Sequence, residues 1–326
     1  MTTRHLVDPE LLPVLDAFSP FVLDADALRQ FRRSITPDGA SAWAHPTIGK
    51  AVEVVPGPAG EPDVRVLVYR PLRSTEPLPV LLWLHGGGFV LGEADADEDM
   101  FEAVVNQLGC AVVSVDYRLA PETPAPGAVE DAYAALRWIV TEATRGNFAG
   151  DRIAIGGASS GGGLAAALGL LARDRGEIPL GFQLLIYPML DDRTCTAAQP
   201  NAYTGQFIWT PESNRFAWSA LLGQAPGGLD VTPYAVPARA ERLDALPPTF
   251  IAVGTLDLFL DEDLVYAHRL MRSGVPTELH VYPGAFHGFD MDPPPGVPDA
   301  AVTGALKRDY MAALGRALIP DAVPPD

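Results

Sequence analysis

The chain reads as an α/β protein, a mostly parallel sheet covered by helices on both faces. Three observations predict this. From about residue 50 onward, short β-branched runs alternate with longer stretches of helical periodicity. Most of the short runs are continuously apolar and bounded by turn residues, the pattern of strands buried on both sides. With 326 residues, 48% apolar and 20% charged, the composition is that of a globular chain long enough to bury a large core.

The elements follow in order. Residues 1–48 carry helical apolar spacing (Leu11, Leu12, Val14, Leu15, Phe18, then Leu28 and Phe31) and no strand pattern. Val64 to Tyr69 alternates with period two, a half-exposed strand. Val80 to Leu84, Ala111 to Val115, Ile153 to Ile155, Phe182 to Tyr187, Phe250 to Val253 and Leu279 to Tyr282 are the compact apolar runs. Helices are expected over 97–108, 128–144, 160–175, 261–273 and 300–318. Residues 190–235 break the rhythm, being dense in aromatics (Tyr203, Phe207, Trp209, Phe216, Trp218, Tyr234) without strand periodicity. Two readings of the irregular segments stand side by side: a lid over the carboxyl edge of the sheet, or ordinary peripheral helices.

Charge and cysteine usage remove several function classes. A formal net charge of −18 repels phosphate backbones and anionic lipid, so neither a nucleic acid nor a membrane surface is an expected partner. Cys110 and Cys195 lack the spacing of a zinc site or redox pair, and Cys110 sits in an apolar run as a small hydrophobe. The first eighteen residues are broken by Asp8, Glu10 and Asp16, and the apolar stretch from Gly161 to Ala172 is too short to span a bilayer. A cytoplasmic protein is expected, with a homodimer left open.

Two motifs carry chemistry. Gly157-Ala158-Ser159-Ser160-Gly161 has G-x-S-x-G spacing between an expected strand and an expected helix. A nucleophile on a sharp strand-to-helix turn needs small residues two positions either side, and only Ser159 has glycine at both. The helix behind it directs free N–H groups toward a developing oxyanion. The second motif, His85-Gly86-Gly87-Gly88-Phe89, follows the strand ending at Leu84. Chance supplies about 0.1 of the serine motif in such a chain but only about 0.005 of the histidine-triglycine one, so the second discriminates better. A loop without Cβ atoms approaches a substrate closely, and two amides from Gly86, Gly87 and Gly88 with that of Ser160 would form an oxyanion hole. A phosphate-cradling loop is excluded because no Gly-Lys-Ser/Thr follows.

A serine hydroxyl needs a base, and the base an orienting carboxylate. Of six histidines, His287 lies in a glycine-flanked loop after the Leu279 to Tyr282 strand. His280 is within that strand, His268 on a helix, His5 and His45 outside the sheet region, and His85 is expected to hold the glycine loop. Asp257 follows the Phe250 to Val253 strand, whereas Asp261, Glu262 and Asp263 open the next helix as capping residues do. Asp116-Tyr117-Arg118 is charged and follows a strand, and a structural anchor is the expected role.

From about residue 50 to the end the chain resembles the hormone-sensitive-lipase-like group of α/β-hydrolases, the bacterial carboxylesterases. His85 to Phe89, Asp116 to Glu122, Gly157 to Gly162, Gly254 to Glu262 and His287-Gly288-Phe289 carry the likeness. The resemblance implies an α/β-hydrolase fold with an eight-stranded, mostly parallel sheet. It implies a catalytic core over 49–189 and 236–326, and a helical cap from residues 1–48 and the insertion 190–235. It also implies a Ser159, Asp257, His287 triad served by the glycine loop and the Ser160 amide. The family usually has Asp or Thr where Ala158 stands, Ala for Ser160, Asn for Gly163 and Pro for Leu258; none of these changes removes a catalytic group.

The function expected is hydrolysis of a small carboxylic ester of short to medium acyl chain through an acyl-enzyme, with no metal or organic cofactor. Cleavage of amides, lactones or carbamates by the same groups is the alternative. A non-catalytic receptor for a small ligand is the reading from another class, disfavoured because all three triad candidates are present.

Overall fold

The computed structural model describes residues 2–19, 21–34, 43–74, 76–196 and 198–319. Two short helices, α1 (Leu12–Ala17) and α2 (Ala25–Ser34), precede the sheet. Then come β1 (Ile48–Val55), β2 (Val64–Pro71), β3 (Leu78–Leu84), α3 (Glu98–Leu108) and β4 (Ala111–Asp116). They are followed by α4 (Gly127–Thr144), β5 (Phe148–Ala158), α5 (Ser160–Arg175) and β6 (Phe182–Ile186). The chain closes with α6 (Pro211–Leu222), β7 (Thr249–Gly254), α7 (Leu260–Arg272), β8 (Thr277–Tyr282) and α8 (Ala301–Leu318). The strands form one eight-stranded sheet in the order β1-β2-β4-β3-β5-β6-β7-β8. β2 pairs antiparallel with β1 and β4, and every other pairing is parallel.

Seven of these strands coincide with the runs named from sequence; β1 does not. Ala51 to Val54 are exposed and Lys50 and Glu53 interrupt the apolar signal; it is a strand because it pairs with β2 along its whole length. β5 also begins five residues before Ile153, because Phe148 pairs with Leu78.

Period-two alternation sorts the strands onto two faces. Val66, Leu82, Val113, Ile155 and Ile251 join the cluster under α4, α5 and α7. Leu67, Leu81, Val112, Ala154 and Phe250 join the one under α3 and α8. α5 is buried all round from Ser160 to Ala172, which accounts for its lack of a polar stripe. α6 starts at a Thr210 side chain accepting from the Ser213 amide, with Pro211 at its first position, and stops at left-handed Gly223. Its buried face, Ala217, Trp218 and Leu221, packs with Phe89 of the glycine loop. Among the described residues no helix is long and apolar enough to cross a membrane.

Candidate active site

The site is assembled at the carboxyl ends of the central strands. At the end of β5 the chain turns so sharply into α5 that Ser159 adopts φ 56° and ψ −121°, a conformation costly for a residue with a Cβ. Two close approaches hold it there. A Cβ on Gly161 would overlap the carbonyls of Leu84 and His85, and one on Gly157 would overlap Gly161 itself. The Ser159 amide donates to Ile186 O at 2.9 Å, and its carbonyl accepts from Gly163 and Met189. Gly163 has no room for a side chain, because a Cβ there would overlap the Met189 carbonyl.

The structure brings the three side chains proposed from sequence into one hydrogen-bonded series. His287 Nε2 lies 2.9 Å from Ser159 Oγ, and His287 Nδ1 lies 2.9 Å from Asp257 Oδ2. The second oxygen of Asp257 accepts the Phe259 amide at 2.9 Å. The two loops that carry Asp257 and His287 are stitched together. Thr255 and Leu256 donate amides to Tyr282 and Ala285, Gly284 donates to Thr255 Oγ1, and Gly254 lies against the Ala285 carbonyl. Asp257 is fully buried and His287 is 6% exposed, so the imidazole meets its carboxylate away from bulk water. Three aromatic rings surround it: Tyr187 at 4.8 Å, Phe259 at 5.0 Å and Trp209 at 6.3 Å between centroids.

The glycine loop is held just above. Gly86 packs against the Ala158 carbonyl and Ser159 Cβ, while Gly87 and Gly88 take φ 121° and 62°. Among the described residues the N–H groups of Gly87, Gly88 and Ser160 donate to no protein acceptor. His85 anchors the loop: its Nδ1 lies 2.8 Å from the Gly86 carbonyl and its ring stacks on Tyr117 at 4.2 Å. Burial holds its imidazole below the ordinary pKa, so the anchor is neutral and Nδ1 is the donor. Tyr117 OH donates to the His85 carbonyl at 2.7 Å. Arg118 grips the fully buried Asp131 through its guanidinium and its own amide. The Asp116-Tyr117-Arg118 stretch therefore works as a scaffold for the loop.

The other histidines are engaged elsewhere or face solvent. His280 pairs with Glu278 and Asp309, His45 faces Glu102, and His5 and His268 are exposed. Sequence reasoning did not single out Tyr187, Phe259 or Asp290. Tyr187 carried a usable signal, as the last residue of an apolar run at the carboxyl edge of the sheet; its φ of 35° and its bond to Asp290 Oδ1 at 2.7 Å carried none. Of the aromatics between 203 and 218, Trp209 reaches the site, whereas Tyr203 is 61% exposed.

A sheet of this order with a serine at the strand-to-helix turn defines an α/β hydrolase. The comparisons agree. Residues 81–291 match the family described as alpha/beta hydrolase fold. Esterase LipI of Mycobacterium tuberculosis is 37% identical over 291 residues, 88% of each chain. An arylesterase of Saccharolobus solfataricus is 30% identical, covering 76% of this chain and 79% of its own. Among solved structures, a bacterial heroin esterase superposes with TM-score 0.88 at 37% identity, covering 97% of this chain and 99% of its own. An esterase of Pyrobaculum calidifontis superposes with TM-score 0.78 at 32% identity, covering 95% and 98%. The chain belongs to the α/β-hydrolase-fold family, in its hormone-sensitive-lipase-like branch.

Proposed function

We propose that this carboxylic ester hydrolase works through an acyl-enzyme on Ser159, with His287 as base and Asp257 as its orienting acid. Ser159 Oγ attacks the ester carbonyl carbon as its proton passes to His287 Nε2. The carbonyl oxygen becomes an oxyanion facing the amides of Gly87, Gly88 and Ser160, and one such donor is worth about 2.7–4 kcal/mol of barrier. Asp257 Oδ2 holds the Nδ1 proton and stabilises the imidazolium. Collapse breaks the bond to the alkoxy oxygen, which takes the Nε2 proton and leaves as alcohol. Water then gives its proton to His287 and its hydroxyl to the acyl carbon, and the carboxylic acid departs with Ser159 restored.

The observation that carries this reading is the pair of 2.9 Å contacts in series, Ser159 to His287 to Asp257. The irregular segments fit a cap: α6 and Trp209 lie over the glycine loop, and the Thr3 amide donates to Gln206 Oε1 at 2.9 Å, tying the N-terminal segment to the insertion. A cytoplasmic setting is part of the proposal and fits two buried, free cysteines. The test is p-nitrophenyl acetate turnover and labelling by an organophosphate. Ser159→Ala abolishes both, and His287→Gln leaves Ser159 almost unlabelled. Undiminished turnover in the first variant refutes the nucleophile; rapid labelling in the second refutes the base.

A further inference from the structure

Tyr187 carries backbone strain beside the triad. It follows β6 with φ 35°, a left-handed conformation that a residue with a bulky ring adopts only where its surroundings hold it. Its amide donates to the Ala252 carbonyl of β7 at 2.6 Å, and the Ile186 carbonyl of the same peptide unit accepts the Ser159 amide at 2.9 Å. One peptide unit thus joins the turn that bears the nucleophile to the strand that leads to Asp257.

The side chain reaches the third loop, the one that bears His287. Its ring meets the imidazole at 4.8 Å between centroids and 67° between planes, and its hydroxyl donates to Asp290 Oδ1 at 2.7 Å. Asp290 lies three residues beyond His287, with left-handed Gly288 (φ 72°) between them, so the tyrosine touches both ends of that turn. Packing does not enclose the ring on every side. A cavity of about 700 Å³ on the α3 and α8 side is lined by Ala158, Tyr187 and Asp290. Where close neighbours are missing, the bond to Asp290 is what restrains the ring.

The reaction needs that restraint. The bond to Asp257 fixes Nδ1 of His287 but leaves the ring free to tilt about the contact, while Nε2 must stay on Ser159 Oγ as a proton moves out and back. A misplacement of about 1 Å can cost about 100-fold in rate. Phe259 limits the tilt from one direction, at 5.0 Å, and Tyr187 from another.

We propose that Tyr187 and Asp290 are a positioning pair for His287: the hydroxyl-to-carboxyl bond pins the tyrosine ring, and the ring holds the imidazole at the tilt that serves Ser159. This rests on the triad reading above. The loss on breaking the pair should fall on proton transfer and leave substrate binding alone.

The test measures kcat and KM for p-nitrophenyl acetate, organophosphate labelling of Ser159 and Tm. Tyr187→Phe should lower kcat about 10-fold with KM within about two-fold of wild type, and slow labelling by a similar factor. Its Tm should fall by no more than about 3 °C. Asp290→Leu should match it, and Asp290→Asn, which keeps an acceptor for the hydroxyl, should recover most of the loss. Because the two side chains act as a unit, the double variant Tyr187→Phe/Asp290→Leu should lose no more than about two-fold beyond either single one. A kcat unchanged in Tyr187→Phe, a loss carried wholly by KM, or losses that multiply in the double variant each overturn the pair. If Tyr187→Phe folds poorly, the comparison of Asp290→Asn with Asp290→Leu decides, and equal losses overturn the proposal. Wild type that neither turns over p-nitrophenyl acetate nor labels at Ser159 overturns the triad reading and this inference with it, whereas an active wild type with an unaffected Tyr187→Phe overturns the pair alone.

Discussion

Two carboxyl groups six residues apart, Asp257 in the loop after β7 and Asp263 in the first turn of α7, are both fully buried, yet their surroundings are opposite. Asp257 spends both oxygens, on the His287 ring and the Phe259 amide. Neither oxygen of Asp263 has a hydrogen-bond partner among the described residues. Burial alone disfavours charge, and partners decide whether a buried acid stays ionised. Asp263 therefore holds its proton: burial first, then the neighbouring Glu262 and Asp257, push its pKa well above the ordinary range. The helix start is a poor place for an anion when water is excluded, despite the favourable end of the helix dipole. Glu262 lies between them in the sequence and is 6% exposed. It accepts the Leu190 and Asp191 amides and the Thr194 hydroxyl, yet burial still raises its pKa.

The largest expected effect breaks the comparison at Asp257. Asp257→Asn should fold normally by circular dichroism and lose about 10⁴ in kcat, since the imidazole loses its tautomer and its counter-charge. A loss below about 10-fold would mean that the two acids differ in partners but not in role. Next comes Glu262→Ala, which strands two backbone amides and a hydroxyl. Urea unfolding should show about 2–4 kcal/mol of destabilisation. Full stability would show that these bonds are readily replaced by water.

The smallest effect sharpens the comparison from the other side. Asp263→Asn should raise stability by about 1–2 kcal/mol at pH 8 and less at pH 5, with kcat unchanged within about two-fold. The sign follows from linkage. A folded-state pKa raised above the unfolded value means the native state binds more protons. The contribution of Asp263 to stability is then fully present below about pH 4 and is lost as pH rises toward the folded pKa. The amide cannot ionise, so the Tm gap between variant and wild type should widen from pH 5 to pH 8. A gap that is constant or reversed would show that Asp263 is charged and paired in solution.

The same contrast explains what was legible beforehand. Asp257 stands out in the sequence by its place after an apolar strand, and Asp263 reads as a capping residue. The sequence gives no sign that Asp263 lacks partners, because capping is a local property whereas the absence of partners belongs to everything packed around α7. β1 escaped notice for a related reason. Lys50 and Glu53 break its apolar run, and only pairing with β2 makes it a strand.

What the sequence determined by itself were the features set by neighbouring residues: the glycines flanking Ser159, the triglycine loop, the order of serine, acid and histidine, and the alternation that makes a parallel sheet. These are short-range sterics and periodicity, and they act before the chain closes. Only the tertiary structure decided that Tyr187 and Trp209 flank His287 from two sides, that a cavity opens beside Ala158, and that one buried acid is satisfied while its neighbour is not. Those outcomes depend on which strands lie side by side and which loops meet above them, a matter of closure between residues far apart in the chain.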